Sequence, residues 1–287
     1  MKNENTQKKS FFERLKTKNG RFPTGYFVLF ILFCLIFIVS AVLLLCRSCV
    51  RPKNKISEQY YNKNAKTDVK KGELAENPIN FKDLQAKNAE VIGWIRVPST
   101  EDEIINYPIL QSSFETEEDF YINHDIDKKY DRKGSIYIQR EDINSSDFSD
   151  FNTVIYGHNM MNKSMFGTLK KYRNTDYFKN NRTIYIYTPS YKENGQFFPG
   201  HIKEYKIVSA FIFDDRLIPT AYNHFLDDEK KQSFIDVCKS PNTLVKNVAD
   251  DLDVTVKDHL ITLSTCTSAE TERYLVVAKL VKDTETK

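Results

Sequence analysis

From Tyr26 to Cys46 the chain reads YFVLFILFCLIFIVSAVLLLC, a stretch without one charged side chain. Its length matches the roughly 20 apolar residues that an α-helix needs to cross the hydrocarbon core of a bilayer. A helix buried in a soluble core normally keeps a polar face, and this one has none. A cleaved signal peptide is the competitor. Its apolar core is usually only about 7 to 15 residues and is followed by small residues at the cleavage site, which Cys46-Arg47-Ser48-Cys49-Val50-Arg51 does not supply. Residues 26–46 are therefore read as a single membrane-spanning helix. They divide the chain into a tail (1–25), a tether (47–77) and a soluble domain (78–287).

The flanking charges give an orientation. Lys2, Lys8, Lys9, Arg14, Lys16, Lys18 and Arg21 precede the apolar run, against Arg47, Arg51, Lys53 and Lys55 after it. The positive-inside tendency puts the N-terminus in the cytoplasm, and the expected location of the rest is the outer face of the cell membrane. The tether, lysine- and asparagine-rich with little apolar periodicity, is expected to be extended or partly helical.

A chain of 287 residues with 40% hydrophobic content can bury one good-sized core. Its formal net charge of +3 is too mild for a nucleic-acid partner, and no basic stripe interleaved with aromatics appears. Of five cysteines, Cys34, Cys46 and Cys49 belong to the apolar run or its edge, leaving Cys238 and Cys266 for the soluble part. Spacing alone leaves a bridge between those two open. No Cys-x-x-Cys or His-x-x-x-His spacing points to zinc, and Met160, Met161 and Met165 read as gap-fillers of a core.

From Pro78 the pattern becomes that of a folded domain. Phe81, Leu84, Ala89, Val91 and Ile92 give a short amphipathic helix, followed by a strand at Trp94 to Val97. Further strands are expected at 104–110, 134–139, 153–156, 183–188, 204–213, 255–265 and 274–282. Asp227-Asp228-Glu229-Lys230 opens a helix through Phe234, Ile235, Val237 and Cys238 that stops before Ser240-Pro241. Many short strands with few helices indicate a mainly β domain, a closed β-barrel.

The chemistry concentrates in Ile261-Thr262-Leu263-Ser264-Thr265-Cys266, followed seven residues later by Arg273-Tyr274-Leu275-Val276-Val277-Ala278. This reads as a hairpin. Period-2 alternation puts Ser264 and Cys266 on one face, and strands about 4.8 Å apart would set the Arg273 guanidinium beside the Cys266 sulfur. The same residues equally fit a small buried hydrophobe at a strand end and a solvated surface charge.

Thr-Leu-Ser-Thr-Cys followed by Arg-Tyr-Leu-Val-Val resembles the active-site strand pair of sortases, the cysteine transpeptidases of Gram-positive bacteria. Asn152-Thr153-Val154-Ile155-Tyr156-Gly157-His158-Asn159-Met160, with Ser164-Met165-Phe166-Gly167 soon after, resembles the histidine segment of the class B members. The resemblance runs from about Pro78 to Val281. It implies a sortase-type β-barrel with N-terminal helices and a helical insertion before the active-site strand.

Which histidine serves the cysteine needs argument, because there are five. His259 precedes Cys266 on the same expected strand, about 23 Å away and facing the other way. His224 lies near the insertion helix, His201 in a Pro-Gly turn and His124 in an acidic segment, and each reads as a surface or capping residue. His158 follows Gly157 at the end of a β-type run, where backbone freedom would aim it into a cleft. The residue pattern ranks it first, and the resemblance assigns it.

The resemblance then implies a mechanism. Cys266 attacks a peptide carbonyl, Arg273 and a backbone N–H stabilise the oxyanion, and His158 protonates the leaving amine before an amine resolves the thioester. The implied substrates are secreted proteins bearing a C-terminal sorting signal cut after threonine, and an amine of a peptidoglycan precursor. No metal or cofactor is required. Ser264, Thr265 and Asn159 are candidate substrate contacts, and the connection 214–246 a candidate wall of the groove. The turn between Cys266 and Arg273 is shorter than class B turns usually are, which points to a less deeply walled cleft. Glu270 and Glu272 are read as solvating that turn. The alternatives are a pilin-polymerising sortase using a lysine nucleophile, against which the polar end Val281 to Lys287 counts, and a non-catalytic membrane-anchored binding domain.

Overall fold

The structure, a computed structural model, describes residues 24–49, 55–70, 72–99, 105–214, 225, 227–267 and 271–287. They fall into two compact units that part between residues 50 and 51. The first holds helix α1 (Thr24–Cys49), whose stretch Phe27–Leu44 is long and apolar enough by length and composition to cross a membrane. The expected tail lies, but for its last two residues, outside the described residues.

The second unit opens with α2 (Lys55–Tyr60) and α3 (Phe81–Lys87), then β1 (Val91–Val97), β2 (Ile105–Gln111), β3 (Ile136–Ile138) and β4 (Asn152–Tyr156). After α4 (Thr175–Asn180) come β5 (Thr183–Tyr187), the small hairpin β6 (Tyr191–Glu193) and β7 (Gln196–Phe198), and the long β8 (Gly200–Asp214). Helix α5 (Asp228–Lys239), β9 (Lys246–Val248), β10 (Leu260–Cys266) and β11 (Glu272–Thr286) complete it.

Eight strands close a barrel in the order β11-β10-β4-β3-β2-β1-β5-β8, because β8 pairs back onto β11 from Glu272↔Asp214 to Thr286↔Gly200. Closure leaves no free edge among these eight. The sequence explains the layering. In β10, Ile261 and Leu263 point into the barrel core. Leu260 points outward, into a second cluster with Phe234, Ile235 and Cys238 of α5. With both faces covered, β10 reads as a near-continuous buried run rather than a clean alternation. Asp227 caps α5 by accepting from the Lys230 N–H, as its place before the helix predicts.

A third cluster, on the other outer face, joins Trp94, Leu110, Tyr121 and Tyr187 to Tyr60, Leu84 and other residues of the N-terminal segment. This corrects the expectation of a tether. Over its described residues from Lys55 to Asn77 that segment is part of the folded unit: Tyr60 is 7% exposed and Ala75 fully buried. Ala75 donates to the Glu285 carbonyl and accepts from Lys287, while Asn80 donates to the carbonyl of Tyr60. Backbone pairing and two buried side chains suffice to seat a stretch whose composition is polar.

Other boundaries shift for local reasons. The first helix stops at Lys87, since Asn88 turns its amide to the Tyr121 hydroxyl and the Ile126 carbonyl, and Val91 and Ile92 belong to β1. The strand expected from residue 255 begins at Leu260, because the Asp258 carboxylate accepts from both the N–H and hydroxyl of Thr255 and closes a turn there. β11 runs on to Thr286 because its polar end is held by the ladder to β8.

Candidate active site

The topology explains how distant residues meet. β10 runs parallel to β4, with Leu260↔Asn152 through Ser264↔Tyr156 in register. Two residues further along that register, Cys266, the last residue of β10, comes level with His158, which lies just past the end of β4. On the other side β10 pairs antiparallel with β11, and there Cys266 is the direct cross-strand partner of Arg273. A cysteine, a histidine and an arginine separated by 115 positions of chain (158 to 273) thus stand around one cavity of about 260 Å³.

That cavity lies on the outer face of the barrel. Its lining includes Ser264, Thr265, Cys266, Arg273, Gly157 and His158, together with Tyr156, Tyr137 and Gln139 from the neighbouring strands. Asp119 and Ile122 close it from the β2–β3 connection. Cys266 is a free thiol, half-buried, and Cys238 is free and buried on the inner face of α5. Burial pushes the Cys238 thiol well above the usual range, so it stays a neutral apolar filler.

The histidine segment is built by close packing. Gly157 does not have a left-handed backbone, contrary to the conformational freedom expected of it. Its role is space: a Cβ there would meet the Ile136 Cδ1 at 2.5 Å and the Phe166 ring at 2.8 Å. Phe166 is fully buried, and its N–H returns to the His158 carbonyl at 3.0 Å, which also accepts from Met160 at 3.2 Å. A Cβ at Gly167 would meet the Met160 carbonyl oxygen at 2.2 Å. These contacts give a physical reason for Tyr-Gly-His-Asn-Met with Met-Phe-Gly soon after: the second piece packs under the first and fixes the His158 backbone.

The imidazole is fixed separately. His158 Nε2 lies 2.7 Å from the Ile122 carbonyl oxygen. A carbonyl only accepts, so Nε2 carries a proton and donates it. In the neutral ring Nδ1 is then left as the base. The next residue, Asn159, is not among those lining the cavity. Its carboxamide donates to the Cys266 carbonyl at 2.9 Å, bracing the cysteine backbone. The Thr265 hydroxyl donates to the Gly157 carbonyl at 2.7 Å, and Gly157 N–H donates to Ser264 O at 3.2 Å. Ser264 differs from both: the residue lines the cavity, while its hydroxyl is buried and has no hydrogen-bond partner among the described residues.

The other described histidines sit elsewhere. His259 bonds the Asp150 carbonyl at the far end of β10, His201 pairs with Asp283, and His124 stacks on Phe120. His224 and Glu270 lie outside the described residues, and so do residues 215–224 and 226 of the 214–246 connection. Its described residues do not line the cavity. Glu272 begins β11, where its carbonyl accepts the Thr267 N–H.

Residue patterning missed Asp119, Ile122, Tyr137, Gln139 and Tyr156. Tyr137 and Gln139 carried a signal, since in Ser-Ile-Tyr-Ile-Gln the two isoleucines enter the core and the alternate residues must face the other way. The Ile122 contact is made by a backbone carbonyl and has no signature in residue type.

A thiol, an imidazole and a guanidinium around one open cavity at the rim of a closed barrel form an arrangement suited to thiol-based acyl transfer. The Sortase domain family model matches residues 95–281. Sortase B of Staphylococcus aureus is 32% identical over 206 residues, covering 70% of this chain and 75% of that protein. Sortase B of Listeria monocytogenes is 32% identical over 227 residues, covering 77% of this chain and 80% of its own. The X-ray structure of Clostridium perfringens sortase B superposes with a TM-score of 0.58 at 27% identity, covering 71% of this chain and all of that one. The chain belongs to the sortase family, in its class B branch, and is a sortase transpeptidase.

Proposed function

We propose that this chain cleaves the C-terminal sorting signal of secreted proteins after threonine through a thioester on Cys266, and passes the acyl group to an amine of a peptidoglycan precursor. The observation that carries this reading is the convergence of Cys266, His158 and Arg273 on one cavity. The Cys266 thiol passes its proton to His158 Nδ1 as its sulfur attacks the scissile carbonyl carbon, and the carbonyl oxygen becomes an anion beside the Arg273 guanidinium. As the C–N bond breaks, His158 gives a proton from Nδ1 to the leaving amine. The acceptor amine then attacks the thioester and surrenders a proton to the same atom, which hands it to the departing Cys266 sulfur and so restores the starting state. Ser264, which lines the cavity and whose hydroxyl meets no partner among the described residues, is a substrate contact, and the Thr265 backbone borders the same groove.

Helix α1 anchors the enzyme in the membrane with residues 1–25 in the cytoplasm and the barrel outside, a reading supported by the length of α1 and by the lysines and arginines before it. Both substrates reach that face, and anchoring raises their effective concentration at the enzyme. The test is incubation of the full chain in detergent micelles with fluorogenic peptides of the Asn-Pro-x-Thr-x and Pro-x-Thr-Gly types. Cleavage after threonine, absent in Cys266→Ala and His158→Ala, and a Cys266 acyl adduct by mass spectrometry are the expected results. Cleavage that persists in Cys266→Ala would sink the reading.

A further inference from the structure

The imidazole of His158 leans on a single backbone carbonyl, that of Ile122, and what holds that carbonyl lies on the far side of the β2–β3 connection. Tyr121, the residue before it, is fully buried and points away from the cavity into the cluster beneath α3. Its hydroxyl donates to a Glu90 carboxylate oxygen in a short hydrogen bond and accepts from the Asn88 carboxamide at 2.9 Å. Glu90 stands in the turn before β1 and gathers the connection around itself. One oxygen accepts the Ser113 N–H and the Thr116 hydroxyl, each at 3.0 Å, and the other also meets Lys128 Nζ at 2.8 Å.

The same backbone is pinned from the β3 side. Ser135 N–H donates to the Tyr121 carbonyl at 2.9 Å. Gly134, with φ at +57°, lies so close that a Cβ would come within 2.2 Å of the Ile122 oxygen. The oxygen that receives the His158 proton is thus held by a half-buried carboxylate and a buried phenol on one side and a glycine on the other. A connection of this length between strands would otherwise be among the more mobile parts of a barrel.

We infer that Glu90 and Tyr121 are positioning residues of this enzyme: through the Ile122 carbonyl they hold His158 in the Nε2–H tautomer with Nδ1 directed to the chemistry. This rests on the acid–base role given to His158 above. Neither residue touches the cavity, so substrate binding does not depend on them, whereas each proton transfer does.

The test uses the full chain in detergent micelles, labelled with 15N-histidine, with His158→Ala assigning the His158 signals. Tyr121→Phe removes the anchoring hydroxyl and keeps the ring. It is expected to lower kcat about tenfold or more with KM held within about twofold, since small misplacements of a catalytic group cost rate rather than binding. The neutral His158 signals should change from one Nε2–H tautomer to a mixture. Glu90→Ala should do the same more strongly, and thermal unfolding shows which variants remain folded. Wild-type kcat and an unchanged tautomer signature in folded Tyr121→Phe would overturn the inference. Should His158→Ala stay active, the acid–base reading falls, and the tautomer signature alone decides whether Glu90 and Tyr121 hold the ring.

Discussion

Ser264 lines the cavity with a hydroxyl that no described residue bonds. A buried hydroxyl without a partner among the described residues costs the fold about 1–3 kcal/mol, and this one belongs to a residue that lines the cavity two positions from the thiol. Ser264→Ala should therefore leave the unfolding midpoint unchanged or raise it, while raising KM for the sorting peptide. A lowered midpoint with unchanged KM would show the hydroxyl to be structural. Glu90 gives the opposite case. Burial pushes its carboxyl up, but the hydrogen bonds from Lys128, Tyr121 and Ser113 outweigh burial and hold it at about 2, below its ordinary 4.5. A carboxyl depressed by folding stabilises the fold above its unfolded value and loses that contribution as pH falls toward its folded value. Stability should thus decline from about pH 4.5 toward 2, and Glu90→Gln, weaker at neutral pH, should show a flatter decline by denaturant titration. An equal slope in the variant would assign the acid loss to other groups.

Among the elements, β4 and the segment after it show how little of a motif is chemistry. His158 is the single residue of its segment proposed to move a proton. Gly157, Phe166 and Gly167 act by volume. Gly157→Ala should cost about 1–3 kcal/mol by overpacking against the Phe166 ring, and kcat should fall further because the forced shift adjoins His158. Calorimetry and single-turnover kinetics check the two halves, and a variant as stable and as fast as wild type would show that the ring yields freely. The pairing of β10 with β11 was legible from residues, because alternation and the turn length dictate that Cys266 and Arg273 share a face. The parallel pairing of β10 with β4 was not. Nothing in either strand names its partner, and a parallel neighbour over a hundred residues away is chosen by barrel closure. Strand ends were misread where backbone ladders or side-chain turns outweighed composition, as at Asp258 and along Lys282 to Thr286.

For the molecule as a whole, the N-terminal segment carries the clearest consequence. A chain begun at Pro78, where composition places the boundary, would strip Tyr60 and Ala75 from the cluster over β1, β2 and β5. Relative to one begun at residue 51 it should lose at least about 2 kcal/mol, the worth of one buried aromatic side chain with its neighbours. Comparison of their unfolding free energies measures this, and equal stability would return the segment to the status of a tether. The sequence by itself determined a membrane-length helix, a barrel of short strands, a capped helix over its outer face, and a cysteine paired with an arginine across a hairpin. These follow from periodicity, length and local turn chemistry, which act within a few residues. Only the tertiary structure decided that the N-terminal segment belongs to the domain, that β4 brings His158 level with Cys266, and that the carbonyl of Ile122, next to the Tyr121–Glu90 pair, meets the imidazole. Those are contacts between backbone and side chains far apart in the chain, and burial and barrel closure select them where residue type alone carries no signal.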